Sequence, residues 1–230
     1  MKKAIVLCSG GLDSIVTAHY VKKRLGYDKI VVLFFNYNQK ALKKEREFSK
    51  RCAKELKAEF REIKIHELAK LSDSLINKGD NSKIRNKKGV GNTVKESEQW
   101  YVPCRNAVFL MYALALAESN YVREKKKSDI FVGFKNEGKE PFPDATQEFV
   151  NKMNSVSKEM CSNYFKIHAP LIRKDKEDII ILGLKLGVDF NKTFSCYVGL
   201  RRHCGECLAC RLRKKGFCWA NIEDPTNYEL

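Results

Sequence analysis

The chain has 230 residues, of which 43% are hydrophobic and 31% are charged, and its formal net charge at pH 7 is +16. This composition is typical of a globular protein with a substantial core, and it excludes disordered and collagen-like chains. A run of about 20 apolar residues is absent, which excludes a membrane-spanning helix. The apolar N-terminal run stops at Gly10 and Gly11, too early for a signal peptide, so we expect a cytoplasmic protein.

The positive charge would suit a partner such as nucleic acid, ATP or an anionic substrate. However, the lysine runs at 43–44 and 125–127 stand beside glutamates, as they do on solvated helix faces. The sequence shows neither a basic stripe interleaved with aromatic residues nor a nucleic-acid-binding motif. The charge therefore indicates a solvated surface, and nucleic acid is not required as a partner.

Strands and helices are predicted to alternate through the first part of the chain. Continuous apolar runs of strand length are typical of parallel strands buried on both faces, whereas charged amphipathic stretches indicate helices. The order is a strand over 4–7, a helix over 13–24, a strand over 30–35, a helix over 41–56 and a strand over 59–65. This alternation predicts a doubly wound α/β fold.

The segment 71–100 interrupts the alternation, because it is rich in glycine and asparagine and has little apolar periodicity. A loop of this length is usually functional or disordered. We expect a mobile segment over the active site, with disorder as the alternative. The later elements are predicted as a helix over 106–119, a strand over 129–133 and helices over 149–163 and 176–186, the last capped by Asp175.

A glycine loop lies between the first strand and the first helix, where residues 9–14 read Ser-Gly-Gly-Leu-Asp-Ser. Glycines allow a tight turn and a close approach of the backbone to a ligand, and amides at a helix N-terminus favour an anion. The loop is neither a Walker A motif nor G-x-G-x-x-G. A plain turn capped by Asp13 or Ser14 is the alternative, but the full pattern in this context favours phosphate binding.

Four of the nine cysteines lie close together near the C-terminus, as Cys196, Cys204, Cys207 and Cys210. Thiolates at these spacings suit tetrahedral zinc, and a site closed by four protein ligands is structural. An iron–sulfur cluster is the alternative, since C-x2-C-x2-C also occurs in ferredoxins. Cys218 comes late for that pattern and no Cys-Pro follows, so the spacing favours zinc.

The glycine loop resembles the PP-loop of the ATP-pyrophosphatase (N-type) superfamily, whose members bind ATP and transfer AMP to a substrate oxygen. Together with the cysteine cluster, it resembles the 7-cyano-7-deazaguanine synthase (QueC) family. The resemblance extends over essentially the whole chain through short motifs at 36–39, 101–106, 142–149, 169–171, 195–197 and 224–228. The sequence departs from the family pattern at Asn38, at Cys104 and at Ala145-Thr146, which bear on substrate contacts.

The resemblance implies a Rossmann-like, doubly wound parallel sheet of the adenine nucleotide alpha hydrolase-like class. It divides the chain into a PP-loop ATP-binding domain over 1–190 and a small zinc-binding appendage over 191–230. It implies a carbon–nitrogen ligase that converts 7-carboxy-7-deazaguanine and ammonia to the 7-cyano product in queuosine- or archaeosine-type 7-deazapurine biosynthesis. Adenylated carboxylate and amide would be intermediates, ATP with Mg²⁺ the cosubstrate, zinc a structural ion, and the protein a homodimer.

The residues themselves, as with Asp13 in the loop and His203 beside Cys204, and the resemblance together indicate site residues. Asp13 would orient the loop or help to hold magnesium. Arg105 would neutralise a carboxylate or phosphate, or else form a salt bridge at the start of its helix; Asp144 would accept the N–H edge of the base, or else serve as a turn residue. His203 is the one histidine considered as a substitute metal ligand. The nucleotide-binding residues would be Cys8, Ser9, Gly10, Gly11, Leu12, Asp13, Ser14, Ile15, Val16, Thr17 and Ala18.

Three other functions are weighed against the synthase. One is a PP-loop enzyme that adenylates a tRNA base, which would require a tRNA-binding domain and a catalytic cysteine pair. Another is a related enzyme that acts on a protein acceptor, and the third is a zinc-bearing nucleic-acid module with an inactive loop. The intact loop at residues 9–14 argues against the third.

Overall fold

The computed structural model describes residues 2–79, 98–135 and 142–229. Within these ranges five strands form one parallel sheet in the order β3-β2-β1-β4-β5. The strands are Lys3–Leu7 (β1), Lys29–Asn36 (β2), Glu59–Lys64 (β3), Ser128–Phe131 (β4) and Ile167–His168 (β5). The chain adds strands on one side of β1 and then returns to the other side. This switch lies at the carboxyl end of β1, where open α/β sheets bind ligands.

Seven α-helices are present in the described ranges. They are Leu12–His19 (α1), Leu42–Glu55 (α2), Glu67–Lys70 (α3), Arg105–Glu124 (α4), Gln147–Met160 (α5), Lys176–Lys185 (α6) and Leu208–Trp219 (α7). A π-helical turn over Tyr20–Arg24 extends α1. None of these helices combines the length and apolar character needed to cross a membrane.

Alternate side chains of the central strands enter two cores on opposite faces of the sheet, as the pleat requires. Ile5 packs with α4 and α5 on one face, whereas Ala4 and Val6 pack with α1 and α6 on the other. The doubly wound α/β prediction is therefore confirmed. The run of apolar residues in β2 is continuous because both faces of the strand are buried, as predicted. Ile30 and Val32 face one core, and Leu33 faces the other.

The predicted helices and strands are found, with ends shifted by a few residues. The helix predicted over 149–163 begins at Gln147, because Thr146 is its N-cap and accepts a hydrogen bond from the Phe149 N–H (3.0 Å). Asp175 is the N-cap of α6, as predicted. The short helix α3, the two-residue strand β5 and helix α7 were not predicted. Most of the expected 71–100 loop, residues 80–97, lies outside the described residues.

The C-terminal segment packs into both cores. Its cysteines belong to the core on the α4 side, and Phe217 belongs to the core on the α1 side. Arg213 is 1% exposed and donates to Thr193 Oγ1 (2.7 Å) and the Phe190 carbonyl oxygen (3.1 Å), and it pairs with Asp224 (3.3 Å). The division into 1–190 and 191–230 stays a prediction.

Gly10 lies where the loop, α2 and the C-terminal segment meet. Its φ is +77°, and a Cβ at this position would lie 2.6 Å from the Glu45 carbonyl oxygen. The Gly10 carbonyl oxygen also accepts a hydrogen bond from the Phe194 N–H (2.8 Å). Both the conformation and the close approach therefore require glycine.

We expect Gly10→Ala to lower the free energy of unfolding by about 2–4 kcal/mol, because left-handed strain adds to a clash with backbone. Gly26→Ala is the matched control, since Gly26 has a φ of +68° but nothing within 4 Å of a built Cβ. Its cost should be only about 1 kcal/mol. Urea denaturation of both variants measures the difference, and equal costs would contradict the packing argument.

Candidate active site

A cavity of about 870 Å³ opens at the carboxyl ends of β1, β2 and β4. Its walls come from the glycine loop, the start of α2, the start of α4, the start of α6 and the C-terminal segment. Residues far apart in the sequence therefore share one space, at the position where the strand order predicts a ligand site.

Five residues of the predicted loop, Ser9, Gly11, Leu12, Asp13 and Ser14, line this cavity together with Cys8, whereas Gly10 is not among the lining residues. Gly11 is the N-cap of α1, without a side-chain cap, so the alternative of a turn capped by Asp13 or Ser14 is not observed. The Ser14 hydroxyl donates to the Gly11 carbonyl oxygen (3.0 Å). The first-turn N–H groups of α1 have no helical acceptor and lie at the positive end of the helix dipole. This arrangement suits a phosphate.

The remaining residues predicted to bind nucleotide lie deeper. Ile15, Val16 and Ala18 pack in the core on the α1 side, and the Thr17 hydroxyl donates to the Asp13 carbonyl oxygen (2.9 Å). None of these four is among the residues that line the cavity. In this structure they support the loop from beneath, and their contact with nucleotide stays a prediction.

Asp13 forms an ion pair that the sequence reasoning missed. The Lys176 ammonium lies 2.7 Å from each carboxylate oxygen of Asp13, and both residues line the cavity. A Cβ at Gly216 would lie 2.2 Å from Lys176 Cγ, so the backbone of α7 packs directly against the lysine side chain. The pair therefore holds a cation beside the phosphate-binding loop. Local sequence gives no signal for it, since the partners are 163 positions apart.

A second polar cluster faces the cavity from the end of β2 and the start of α2. The Gln39 side-chain amide donates to the Phe35 carbonyl oxygen (3.0 Å) and to the Glu45 carboxylate (2.8 Å). Burial raises the pKa of Glu45 to about 7, although Gln39 and Arg105 both oppose the shift. Glu45 is thus a carboxyl group that titrates near neutral pH in the wall of the cavity.

Arg105 is the first residue of α4 and lines the cavity. Its Nη1 lies 3.4 Å from the Tyr37 hydroxyl, and its Nε lies 3.3 Å from Asn106 Oδ1. Burial also raises the pKa of Tyr37 to about 12, against the effect of the neighbouring guanidinium. Arg105 thus lies in the wall of the cavity, and its role toward substrate stays a prediction. Among the described residues it forms no salt bridge at the start of α4.

Asp144 is buried and contacts the start of α4. Its carboxylate accepts from the Asn106 N–H (3.1 Å), and its carbonyl oxygen accepts from the Asn106 side-chain amide (3.0 Å). Asp144 is not among the residues that line the cavity. It therefore caps α4 and supports the backbone that carries Arg105, and its contact with substrate stays a prediction.

The four cysteines predicted to bind a metal are brought together. Their sulfur atoms all lie within 4.8 Å of one another, and all four residues are buried. Cys204 Sγ lies 3.9 Å from Cys210 Sγ, and the N–H groups of Cys204 and Cys207 donate to cysteine sulfurs (3.4 and 3.3 Å). These N–H contacts favour thiolates, the form that binds metals. The donor set fits a metal ion.

His203 is not part of this group. Its Nε2 accepts a hydrogen bond from the Ser195 N–H (3.0 Å), and its ring lies 4.6 Å from that of Phe194. Burial, with help from Arg213, lowers the pKa of His203 to about 4. His203 is a neutral packing residue here, and the geometry does not support a role as a substitute metal ligand.

The raised pKa of Glu45 has a consequence for stability. Its protonated form is favoured in the folded state, so this contribution is complete below the usual pKa of 4.5 and is lost as the pH rises through about 7. We expect Glu45→Gln to stabilise the protein relative to wild type by about 1–3 kcal/mol more at pH 8 than at pH 4.5, allowing for the partial exposure of the side chain. Denaturant unfolding at the two pH values measures this, and a pH-independent difference would contradict it.

Comparison with known proteins gives a consistent result. The family described as "Queuosine biosynthesis protein QueC" matches residues 3–221. A 7-cyano-7-deazaguanine synthase from a Nitratiruptor species is 38% identical, covering 99% of this chain and 99% of the relative. The synthase from Methanoculleus marisnigri is 35% identical, with all of both chains covered.

A solved structure of the U34-tRNA thiolase NcsA from Methanococcus maripaludis, with its [4Fe-4S] cluster, is similar at a TM-score of 0.45 and 13% identity. The match covers 96% of this chain and 64% of the thiolase. The curated relatives are matched over their whole length, and the family match leaves out only two residues at the start and nine at the end of the chain. The chain therefore belongs to the QueC family.

Proposed function

We propose that the protein converts 7-carboxy-7-deazaguanine and ammonia to 7-cyano-7-deazaguanine, with cleavage of ATP to AMP and diphosphate. The observation that carries the proposal is that five of the six residues of the glycine loop, all but Gly10, lie in the wall of the cavity, in a chain whose full-length relatives are named as this synthase. The relatives' names do not favour a tRNA base or a protein acceptor.

The chemistry explains why ATP is needed. A carboxylate is a poor electrophile, so one of its oxygens attacks the α-phosphorus of ATP and diphosphate leaves. Ammonia then displaces AMP to form the amide. The amide oxygen then attacks the α-phosphorus of a second ATP, and diphosphate leaves. The nitrogen loses two protons, and AMP leaves with the former amide oxygen to give the nitrile. The reaction depends on positioning and on charge stabilisation rather than on a protein nucleophile.

The cations and amides of the cavity match these needs. The N–H groups at the start of α1 would bind the departing diphosphate, and Lys176 would stabilise its charge while Asp13 holds the ammonium in place. Asp13 would also contact the Mg²⁺ that accompanies ATP. On the other side, Arg105 would bind the substrate carboxylate. Asp144 is proposed for the N–H edge of the base.

The cysteine cluster would hold zinc rather than an iron–sulfur cluster. Sulfurs around one tetrahedral ion with bonds of about 2.3 Å lie about 3.8 Å apart, close to the 3.9 Å between Cys204 and Cys210. In a [4Fe-4S] cluster each cysteine binds a separate iron atom, so the sulfurs lie further apart than the 4.8 Å within which all four lie here. The ion would join the chain at Cys196 to the start of α7. The homodimer and the cytoplasmic location stay predictions.

We expect purified protein with 7-carboxy-7-deazaguanine, ammonium and Mg-ATP to form the nitrile with about two AMP per turnover, as mass spectrometry and nucleotide analysis would show. Lys176→Met keeps the apolar part of the side chain and removes its charge, so kcat/KM for ATP should fall by about 10²-fold.

Lys185→Met is the matched control, because Lys185 is exposed on the same helix and should leave kcat/KM unchanged. Substrate-independent AMP release, or none at all, would contradict the proposed reaction. Full activity of Lys176→Met would contradict the role of that ammonium only.

We expect elemental analysis to find about one zinc and no iron per chain. Cys204→Ser should lose the ion and lower Tm by roughly 10 °C or more, because metal binding is part of the folding free energy. Cys218→Ser is the control, since Cys218 is exposed and lies outside the cluster. Stoichiometric iron with visible absorbance would overturn the assignment to zinc.

A further inference from the structure

The reaction proposed above removes protons from nitrogen at several points. When ammonia adds to the acyl-adenylate, the new C–N bond leaves a positive charge on nitrogen, and a proton must leave before the amide forms. In the second half, the amide nitrogen loses both of its hydrogens as the nitrile forms. A proton acceptor within reach of the nitrogen would speed these steps by about 10²- to 10⁴-fold.

Among the residues that the structure describes, four carboxylates line the cavity: Asp13, Glu45, Asp175 and Glu177. Asp13 is held by the Lys176 ammonium, which donates to both of its oxygens at 2.7 Å. Asp175 and Glu177 lie at the start of α6, the element that brings Lys176 to the loop. Glu45 approaches the cavity from α2 instead, on the side that holds Arg105.

The groups around Glu45 leave it able to exchange a proton. The Gln39 amide holds one carboxylate oxygen at 2.8 Å, which fixes the direction of the side chain. Arg105 on α4 acts on the carboxylate through its charge, and Tyr37, the other titratable neighbour, is hydrogen-bonded to Arg105. Within the described part of the chain, Glu45 forms no ion pair of its own.

The cations on its own helix are engaged elsewhere. Arg46 pairs with Glu62 (2.6 Å), and Lys44 pairs with Glu47 (3.1 Å). Burial is therefore the main influence on Glu45, and it holds the pKa near 7. A carboxyl with a pKa near the working pH is suited to both taking up and releasing a proton.

Glu45 is also close to where the chemistry would occur. Its backbone oxygen is the atom that a Cβ at Gly10 would meet at 2.6 Å, so α2 packs directly on the phosphate-binding loop. The stacked rings of Phe35 and Phe109, with centroids 4.1 Å apart, line the same side of the cavity. A flat heterocycle placed against this aromatic wall, with its carboxylate toward Arg105, would present its exocyclic carbon to the region of Glu45.

We propose that Glu45 is the proton acceptor for the substrate nitrogen, an inference that rests on the proposed synthase function. In the first half, Glu45 takes a proton from the nitrogen of the tetrahedral adduct, and the C–O bond to AMP then breaks with its electron pair leaving on AMP. In the second half, the O-adenylated amide loses one proton to solvent. Glu45 takes the remaining N–H proton as the C–O bond breaks, C≡N forms and AMP departs with the oxygen.

The test separates adenylation from the steps on nitrogen. Exchange of labelled diphosphate into ATP, with 7-carboxy-7-deazaguanine but without ammonium, reports carboxylate adenylation alone, which moves no proton from nitrogen. We expect Glu45→Gln to retain this exchange within about threefold, whereas amide and nitrile formation fall by about 10²- to 10⁴-fold. Glu45→Asp should restore part of the rate, because it retains a carboxylate.

The pH profile gives a second readout. In the wild type, kcat/KM for the formation of amide should rise with pH through a midpoint near 7, because only the ionised carboxylate accepts a proton. That limb should be absent in Glu45→Gln. Glu47→Gln is the matched control, since Glu47 lies two residues away on α2 and pairs with Lys44 and Arg51 on the surface; it should keep the wild-type rate and profile.

If a folded Glu45→Gln protein lost both diphosphate exchange and amide formation, the inference would be overturned, because Glu45 would then have a role in binding or in structure. Wild-type rates of nitrile formation in that variant would overturn it as well. If the wild-type protein itself showed no diphosphate exchange, the proposed synthase function would be contradicted, rather than the role of Glu45 alone.

Discussion

The close packing at Gly10 is the constraint on which the site depends. β1 lies between β2 and β4, so the chain that leaves it must turn within the space already bounded by α2. Gly10 achieves this with a left-handed backbone and a contact that leaves no room for a Cβ beside Glu45. Its carbonyl oxygen then receives the Phe194 N–H. One residue thus fixes the phosphate-binding loop, the start of α2 and the C-terminal segment relative to each other.

The structure separates the positive charges behind the net charge of +16 into those on the surface and those in the cavity. Many of its lysines and arginines form exposed pairs such as Lys152–Glu148 and Arg51–Glu47, which contribute little to stability. Four cationic side chains line the cavity among the described residues: Arg105, Lys135, Lys176 and Arg213. Two of them are held by polar neighbours within the site, because Asp13 orients Lys176 and Tyr37 contacts Arg105. Lys176 and Arg105 come from different helices but line one space, which suits a reaction between a polyphosphate and a carboxylate.

Local sequence predicted the parts of the fold that local physics determines. Buried strands give continuous apolar runs. The glycine loop and the cysteine cluster are each formed by residues that lie close together in the sequence. The strand β5 has only two residues, too few to show a periodic apolar pattern. In α7, cysteines and basic residues lie between the apolar residues, so the sequence does not show a clear apolar face. The partners of Asp13 and of Glu45 depend on how α6, α4 and β2 converge. Nothing in a run of charged residues at 43–47 distinguishes Glu45 from Glu47; only packing makes one a cavity residue and the other a surface residue.

The C-terminal segment contributes residues to the wall of the site. Ser195, Tyr197 and Leu208 line the same cavity as the glycine loop, and α7 supports the side chain of Lys176 through Gly216. Four buried sulfurs at contact distance repel one another as thiolates unless a cation lies between them. A metal ion at the cysteines would therefore stabilise the wall of the cavity at a distance from the chemistry. It would affect activity through the position of that wall.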